Sequence, residues 1–489
     1  MMHNGKETSV EKEPRESLNS DYANKDLAHA AEAEKKEEEI ESPRSSTSHD
    51  ELPIVQRTSG SGLTRTKSAA SQAITKVVSR LSTYSTKEPG PPPDGGLLAW
   101  TQAACGWLCI FNTWGFVNSF GAFQTHYTTT LPQSPSTISW IGSTQAFFTF
   151  FLAMFSGRAL DAGLFRPTII IGIVFQLIGL FTMAQSTKYW HLLLTHGVLT
   201  GIGGGIFFCP VMGLISTYFD NNRGIAMGFA TSGNAVGGIV YSLVVRQLLP
   251  VLGFAWTVRI LGFINLATLG VTVAFMKPRL TPRKSAPLVD WISLNDTPYL
   301  LFIVACCFLM ASVYFCFYYI ASYARDTLGL TYTSSVTLVI LLNGVGIPAR
   351  LLPGLIADRW TGPLNIFFLI TFCNIILIFS WLAVDSLTGF YIWTIFFGMS
   401  AAAWQSLFPT AVGSLGVDLN KSGIRLGMAF STISFAALVG GPIGGAILQA
   451  GGGNYTGSIV WSGITTSIGV CFVLAARVVK HGWEWKLKC

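Results

Sequence analysis

The sequence predicts an all-α membrane protein of twelve transmembrane helices, arranged as two six-helix halves. Three observations predict it. Apolar runs near 20 residues recur twelve times after Asp94, each long enough to cross a hydrocarbon core about 30 Å thick. Charged residues make up only 12% of the 489, about half the usual share of a soluble chain. Finally, landmarks of the first half return in the same order in the second.

The first 93 residues stand apart. They hold 13 of the 32 Lys and Arg and 15 of the 25 Asp and Glu, which leaves the rest of the chain ten acids, too few to solvate a water-exposed surface. Ser-, Thr-, Glu- and Lys-rich, this stretch reads as a disordered cytoplasmic tail. No apolar segment follows Met1, so no secretory signal is expected. Ile74, Val77, Val78 and Leu81 recur at helical spacing beside Lys67, Lys76 and Arg80. A short helix on anionic lipid and chance spacing within a disordered tail are the two readings of that pattern. Pro89 to Pro93 then form a stiff break.

The spans are expected at 97–123, 137–156, 168–186, 190–214, 224–247 and 254–276, a six-helix half over 94–276. A cytoplasmic loop at 277–297 follows. The second half, 298–479, holds spans at 298–323, 333–357, 364–384, 389–415, 424–448 and 457–479, and 480–489 is a short cytoplasmic tail. Helices are required because lipid offers the backbone no hydrogen-bond partner. Arg158, Arg166, Arg223, Lys277, Arg279, Arg283, Lys284, Arg359, Lys421 and Arg425 fall on one side, which places both termini in the cytoplasm. A single glycosylation sequon, Asn454-Tyr455-Thr456, falls outside, and its closeness to a helix end works against its use.

The same pattern excludes other classes. Positive charge spread thinly between apolar runs does not make a nucleic-acid face. Eight of the nine cysteines lie in hydrophobic stretches without a CxxC pair, so neither disulfides nor zinc are indicated. Gly201-Ile202-Gly203-Gly204-Gly205 lies inside a span with no strand before it, and close helix packing explains it better than nucleotide binding. No cofactor, metal or enzymatic nucleophile–base set is implied.

The repeat is specific. Gly157-Arg158-Ala159-Leu160-Asp161, followed by Arg166, is echoed 197 residues later by the segment from Gly354 to Asp358, followed by Arg359. Gly224-Ile225-Ala226-Met227-Gly228-Phe229-Ala230 is echoed by Gly423-Ile424-Arg425-Leu426-Gly427-Met428-Ala429. Two echoes in register indicate a parallel duplication.

The Gly-x-x-x-Asp loops resemble those of the major facilitator superfamily. Within it, residues 94–480 are similar to the monocarboxylate transporter family. Asp94-Gly95-Gly96-Leu97-Leu98-Ala99-Trp100 resembles that family's start of helix one. Tyr218-Phe219-Asp220-Asn221-Asn222-Arg223, running on through Gly228 and Gly233, resembles its helix-five signature, and the long Ser-rich tail resembles fungal members. The chain departs from the signature's consecutive basic residues, since only Arg223 remains. In proton-coupled animal members a Lys aligns with Asn118, and an Asp precedes an Arg by one turn in helix eight. Here the Arg place is Arg350 and the Asp place is Gly346.

A cation inside a span costs about 2.5–3.5 kcal/mol or more on insertion scales, which marks Arg350. Its planar fork suits a substrate carboxylate, with snorkelling to the nearer interface as the alternative. His196 is a candidate proton carrier or donor to substrate, against a packing role. Asn118, Gln145, Asn234 and Asn343 are candidates to line a polar cavity, against simple interhelical hydrogen bonding. Tyr314, Tyr318 and Tyr319 form an aromatic cluster suited to packing or to an aromatic substrate. Asp161 and Asp358 are expected to face the N-terminal ends of helices eleven and five in the opposite half, near Arg425 and Arg223, as contacts that gate the cytoplasmic side.

The resemblance implies a secondary transporter of a small organic anion, a uniporter or proton symporter working by alternating access. Its expected partners are that anion, the lipid bilayer and, in the symport case, protons. Export of a fungal secondary metabolite or import of a larger nutrient is the alternative cargo. A nutrient-sensing receptor without turnover is the alternative class. The plasma membrane is expected, with the vacuolar membrane as competitor.

Overall fold

A computed structural model describes residues 92–219, 223–279, 290–291, 293–415 and 422–483. The amphipathic stretch at 74–81, the rest of the N-terminal tail, and the side chains of Asp161, Arg223 and Asp358 lie outside the described residues.

Among the described residues ten helices are long and apolar enough to cross a membrane. Dividing one of them at Gly253 and adding the first helix gives twelve spans. The first, α1, is built from two segments, Gly96–Asn118 and Phe120–Thr130, that join at Ser119. Next come α2 (Pro135–Leu160), α3 (Phe165–Met183) and α4 (Tyr189–Tyr218). The run Arg223–Phe275 is two spans, α5 and α6, divided at Gly253, whose φ of 71° and ψ of 175° no helix accommodates. Only glycine takes such a backbone without strain, and Pro250 just ahead removes a helical N–H. The second half comprises α7 (Thr297–Asp326), α8 (Tyr332–Thr361), α9 (Pro363–Ala383), α10 (Leu387–Leu415), α11 (Ile424–Ala450) and α12 (Thr456–His481).

Several helices run past the expected limits. Ser134 accepts from the Thr137 amide at 3.2 Å and Thr331 from the Ser334 amide at 3.3 Å, so polar caps start α2 and α8 outside the apolar run. The duplication shows in the turns. After α2 comes Gly163 with φ 80°, and after α8 comes Gly362 with φ 77°. These turns, Asp94, Lys277, Arg279 and Lys480 share what we call the basic end of the bundle.

Small residues bring the helices close. A methyl on Gly233 would overlap the Trp107 carbonyl, and one on Gly237 the Phe111 carbonyl, so α5 lies directly on α1. One polar network ties the first half together. Asn112 of α1 donates to the Leu108 carbonyl at 2.6 Å and to Thr268 of α6 at 2.9 Å. Its oxygen accepts from Tyr241 of α5 at 2.7 Å and from Thr268 at 3.1 Å. Gln176 of α3 donates to Asn265 and to the Asn112 carbonyl, both at 2.8 Å, and Asn265 donates to Tyr241 at 2.8 Å.

Candidate functional site

Six residues beyond Asn112, Asn118 closes the first segment of α1. It sits beside the seam between the halves. Asn118 Nδ2 donates to Asn234 Oδ1 of α5 at 2.6 Å and faces Asn343 Oδ1 of α8 at 3.5 Å. The Asn343 nitrogen is committed to the Val339 carbonyl at 2.9 Å. Gly238 permits this meeting, because a methyl there would overlap the Asn343 amide.

The network itself decides which way a side-chain amide points. With the Asn234 amide turned over, its nitrogen donates to the Trp114 carbonyl at 3.2 Å and its oxygen accepts from Arg350 Nη2 at 3.3 Å. Asn118 then turns as well, presenting oxygen to the Asn234 nitrogen at 2.6 Å. Asn118 of α1, Asn234 of α5 and Arg350 of α8 thus form one hydrogen-bonded chain across both halves, with the Asn343 amide 3.5 Å from that of Asn118.

Arg350 is half-buried and lies eleven residues from the end of α8, about 16 Å along the helix axis at 1.5 Å per residue. Its Nε is buried without a hydrogen-bond partner. A Cβ built at Gly346 would sit 3.9 Å from that Nε and 3.2 Å from the Ala402 methyl. An acid at that position would therefore meet the guanidinium, and glycine leaves the fork open. Among the described residues every Asp lies in a loop or at a helix end, so no carboxylate neutralises this cation inside the bundle. A cation held there with the Asn234 amide on one side and an unpaired N–H is arranged to receive an anion.

His196 lies elsewhere. Fully buried in a wider, π-type turn of α4 at Leu193–Leu199, it stacks on Phe116 with centroids 5.0 Å apart. Phe120 and Phe123 meet it edge-on at 5.5 and 5.1 Å, and Nδ1 lies 3.1 Å from the Tyr127 hydroxyl. Asn118 is two residues from both Phe116 and Phe120, about 200° around the helix, and so points away from the imidazole. Tyr318 packs on Phe120 at 4.7 Å, and its hydroxyl and that of Ser143 are buried without a hydrogen bond of good geometry. Tyr319 donates to the Pro135 carbonyl at 2.9 Å, a contact between halves, and Tyr314 packs on Tyr318.

Comparison with known proteins decides the family. A family model described as Major Facilitator Superfamily matches residues 104–417. The chain belongs to that superfamily. It is 44% identical to an MFS-type transporter of Gibberella zeae over 390 residues, covering 79% of this chain and 88% of the relative. It is 28% identical to the aspyridones efflux protein apdF of Emericella nidulans over 406 residues, with 82% of each covered. Its fold matches a bacterial homolog of the human lysosomal transporter Spinster, solved inward-facing and unoccupied. That TM-score is 0.62 at 15% identity, over 80% of this chain and all of the other.

In this major facilitator the two sequence motifs meet at the basic end. The Asp94 amide donates to the Tyr218 carbonyl at 3.1 Å, and Trp100 packs edge-on against Phe219 and Phe229 at 5.4 and 6.2 Å. Gly95 and Gly96 make the turn into α1, where Gly96 has φ 76°. Gly228 faces Leu351 of α8, and a Cβ there would lie 3.2 Å from it.

The charges expected at a gate are distributed unevenly. Arg425 is buried inside its own half, where it pairs with Asp296, donates to Ser293 at 2.8 Å and lies 4.7 Å over the Tyr299 ring. Arg166 is the second residue of α3 and half-buried, whereas Arg359 is exposed at the end of α8. Sequence reasoning passed over Arg325, at the opposite end of the bundle. Its Nη1 crosses from α7 to the Thr125 carbonyl at 2.7 Å and to Thr128 at 3.2 Å on α1. Tyr332 to the Ala122 carbonyl at 3.2 Å and Ser136 to the Pro442 carbonyl at 2.8 Å complete a polar latch between halves. The sequon residue Asn454 is exposed, and its side chain accepts from the Thr456 amide at 2.9 Å.

Proposed function

We propose that this major facilitator carries a small organic anion of monocarboxylate type across a membrane by alternating access. The acid binds between Arg350 and the amides of Asn118, Asn234 and Asn343. The observation that carries the reading is the open guanidinium between the halves, contacted by the Asn234 amide and by no carboxylate among the described residues. A site made from α1, α5 and α8 changes shape when the halves rock, which alternating access requires. Uniport needs nothing more, and symport would route a proton through another group such as His196. The basic loops face the cytoplasm and the Arg325 latch closes the outer side, with the plasma membrane as the expected residence. Asp161, Arg166, Arg223, Asp358 and Arg359 act in closing the cytoplasmic side, while Arg425 is held within its own half by Asp296 and Ser293.

A second reading is favoured by the relatives. One of them is named an efflux protein for aspyridones, and export of a secondary metabolite through the same site fits that likeness. The test is radiolabelled flux of a carboxylate panel in proteoliposomes, in both directions, with and without a proton gradient. Saturable flux that Arg350→Ala abolishes supports the anion site. Flux of no carboxylate by the folded protein rejects it in favour of larger, uncharged cargo.

A further inference from the structure

A group of aromatic rings adjoins the amide–guanidinium cluster. Trp114 packs on Phe150 of α2 at 4.4 Å and on Phe208 of α4 at 5.4 Å, all within the first half. From the second half, Phe430 of α11 stacks on Phe150 at 5.5 Å with planes 20° apart. It also meets Phe208 at 6.3 Å and Phe408 of α10 at 5.3 Å. Trp114 and Arg350 share a neighbour, because the Asn234 amide bridges the Trp114 carbonyl and Arg350 Nη2. The backbone of Trp114, whose ring belongs to this group, and the cation are therefore joined through Asn234.

These rings lie on the basic side of Asn118, where the halves must part for cargo to pass. When they part, the nearly parallel faces of Phe150 and Phe430 lose each other. A planar ring inserted between them restores both contacts, whereas a flexible alkyl chain restores apolar contact without the ring-face geometry. We infer that the cargo is an organic anion bearing a planar aromatic ring. Its acid group is held by Arg350, and its ring by Phe430, Phe150 and Trp114. The inference rests on the reading that Arg350 takes the anionic group.

Helices α2 and α11 carry their own internal control. Phe435, 54% exposed on the lipid face, packs on Phe147 at 5.3 Å and on Phe151 at 6.0 Å. It is an aromatic contact between the same two helices that faces away from the site. Substitution there reads the effect of packing alone.

The experiment measures KM for phenylpyruvate and for 2-oxooctanoate, both ionised at neutral pH, in proteoliposomes of the full chain. Phe430→Leu keeps bulk and apolarity but removes the ring face. The KM ratio of aromatic to aliphatic acid is expected to rise about three- to tenfold in this variant and to stay unchanged in Phe435→Leu. Phe150→Leu gives the same reading if Phe430→Leu does not fold. An unchanged ratio in the folded variant, an equal change in Phe435→Leu, or a wild-type preference for the aliphatic acid overturns the inference. In those cases loss of all flux in Arg350→Ala leaves the anion site standing. Flux that survives Arg350→Ala undiminished removes the anion site and this inference together.

Discussion

Asn112 and Asn118 stand six residues apart on one helix and do different work. Six residues are about 600° of rotation, so the two amides leave α1 on different faces. Asn112 points into its own half and meets α6 and α5, and both its amide nitrogen and its oxygen are hydrogen-bonded. Asn118 points at the seam, with one short hydrogen bond to Asn234, which in turn meets an arginine whose Nε has no partner. A saturated amide within one half, as at Asn112, holds helices together. An unsaturated one between two halves leaves groups free to take a further partner. A buried polar group left unpaired costs about 1–3 kcal/mol, so the seam cluster does not repay its cost through stability alone.

That contrast orders the predictions. Arg350→Ala is expected to lower kcat/KM for the transported anion by about 100-fold or more, as removing one side of a buried charged hydrogen bond does. Its thermal midpoint should not fall, which thermal unfolding in detergent checks alongside flux. Asn118→Leu is expected to reduce kcat/KM about tenfold, near the ~1.5 kcal/mol or more of a hydrogen bond to a charged group, again without loss of stability. Asn112→Leu should do the reverse. Each lost interhelical hydrogen bond contributes about 0.6–2 kcal/mol in membranes, so the thermal midpoint drops by several degrees while flux per folded molecule stays within about twofold. A stable Asn112→Leu with dead transport would dissolve the distinction. The smallest effect is expected from His196→Phe. The ring keeps its stacking on Phe116, and both flux and any response to a proton gradient should remain within about twofold. A gradient response lost in that variant alone would assign coupling to the imidazole.

How much of this was legible follows from what lipid penalises. Twelve spans could be read because the hydrocarbon core forces apolar runs of one length. Their ends could not, because the polar caps Ser134 and Thr331 lie outside those runs, whereas the break at Gly253 falls in the expected gap between residues 247 and 254. Asn118, Asn234, Asn343 and Arg350 stood out because polar groups are costly in a membrane. Their assembly into one group depended on helix rotation, which composition does not carry. The same blindness left Asn112, Gln176 and Asn265 unmarked, since a lone amide looks alike whether it faces a neighbour or a cavity. Phe430 and Phe150 were invisible among 34 phenylalanines. Tyr314, Tyr318 and Tyr319 drew notice as a cluster in sequence, but Tyr319 ties α7 to α2. Arg425 read as a residue between the halves because its partners, Ser293 and Asp296, come from the stretch before α7, which sequence spacing does not place beside it.

The central claim is that residues from both halves grip the same anion. Equilibrium binding of a transported anion to purified wild type, Asn118→Leu, Arg350→Ala and the double variant measures it. If both groups hold one ligand, the losses are non-additive, with a coupling of about 0.5–3 kcal/mol. Losses that add within about 0.5 kcal/mol would contradict the account, because Asn118 and Arg350 would then act on binding independently.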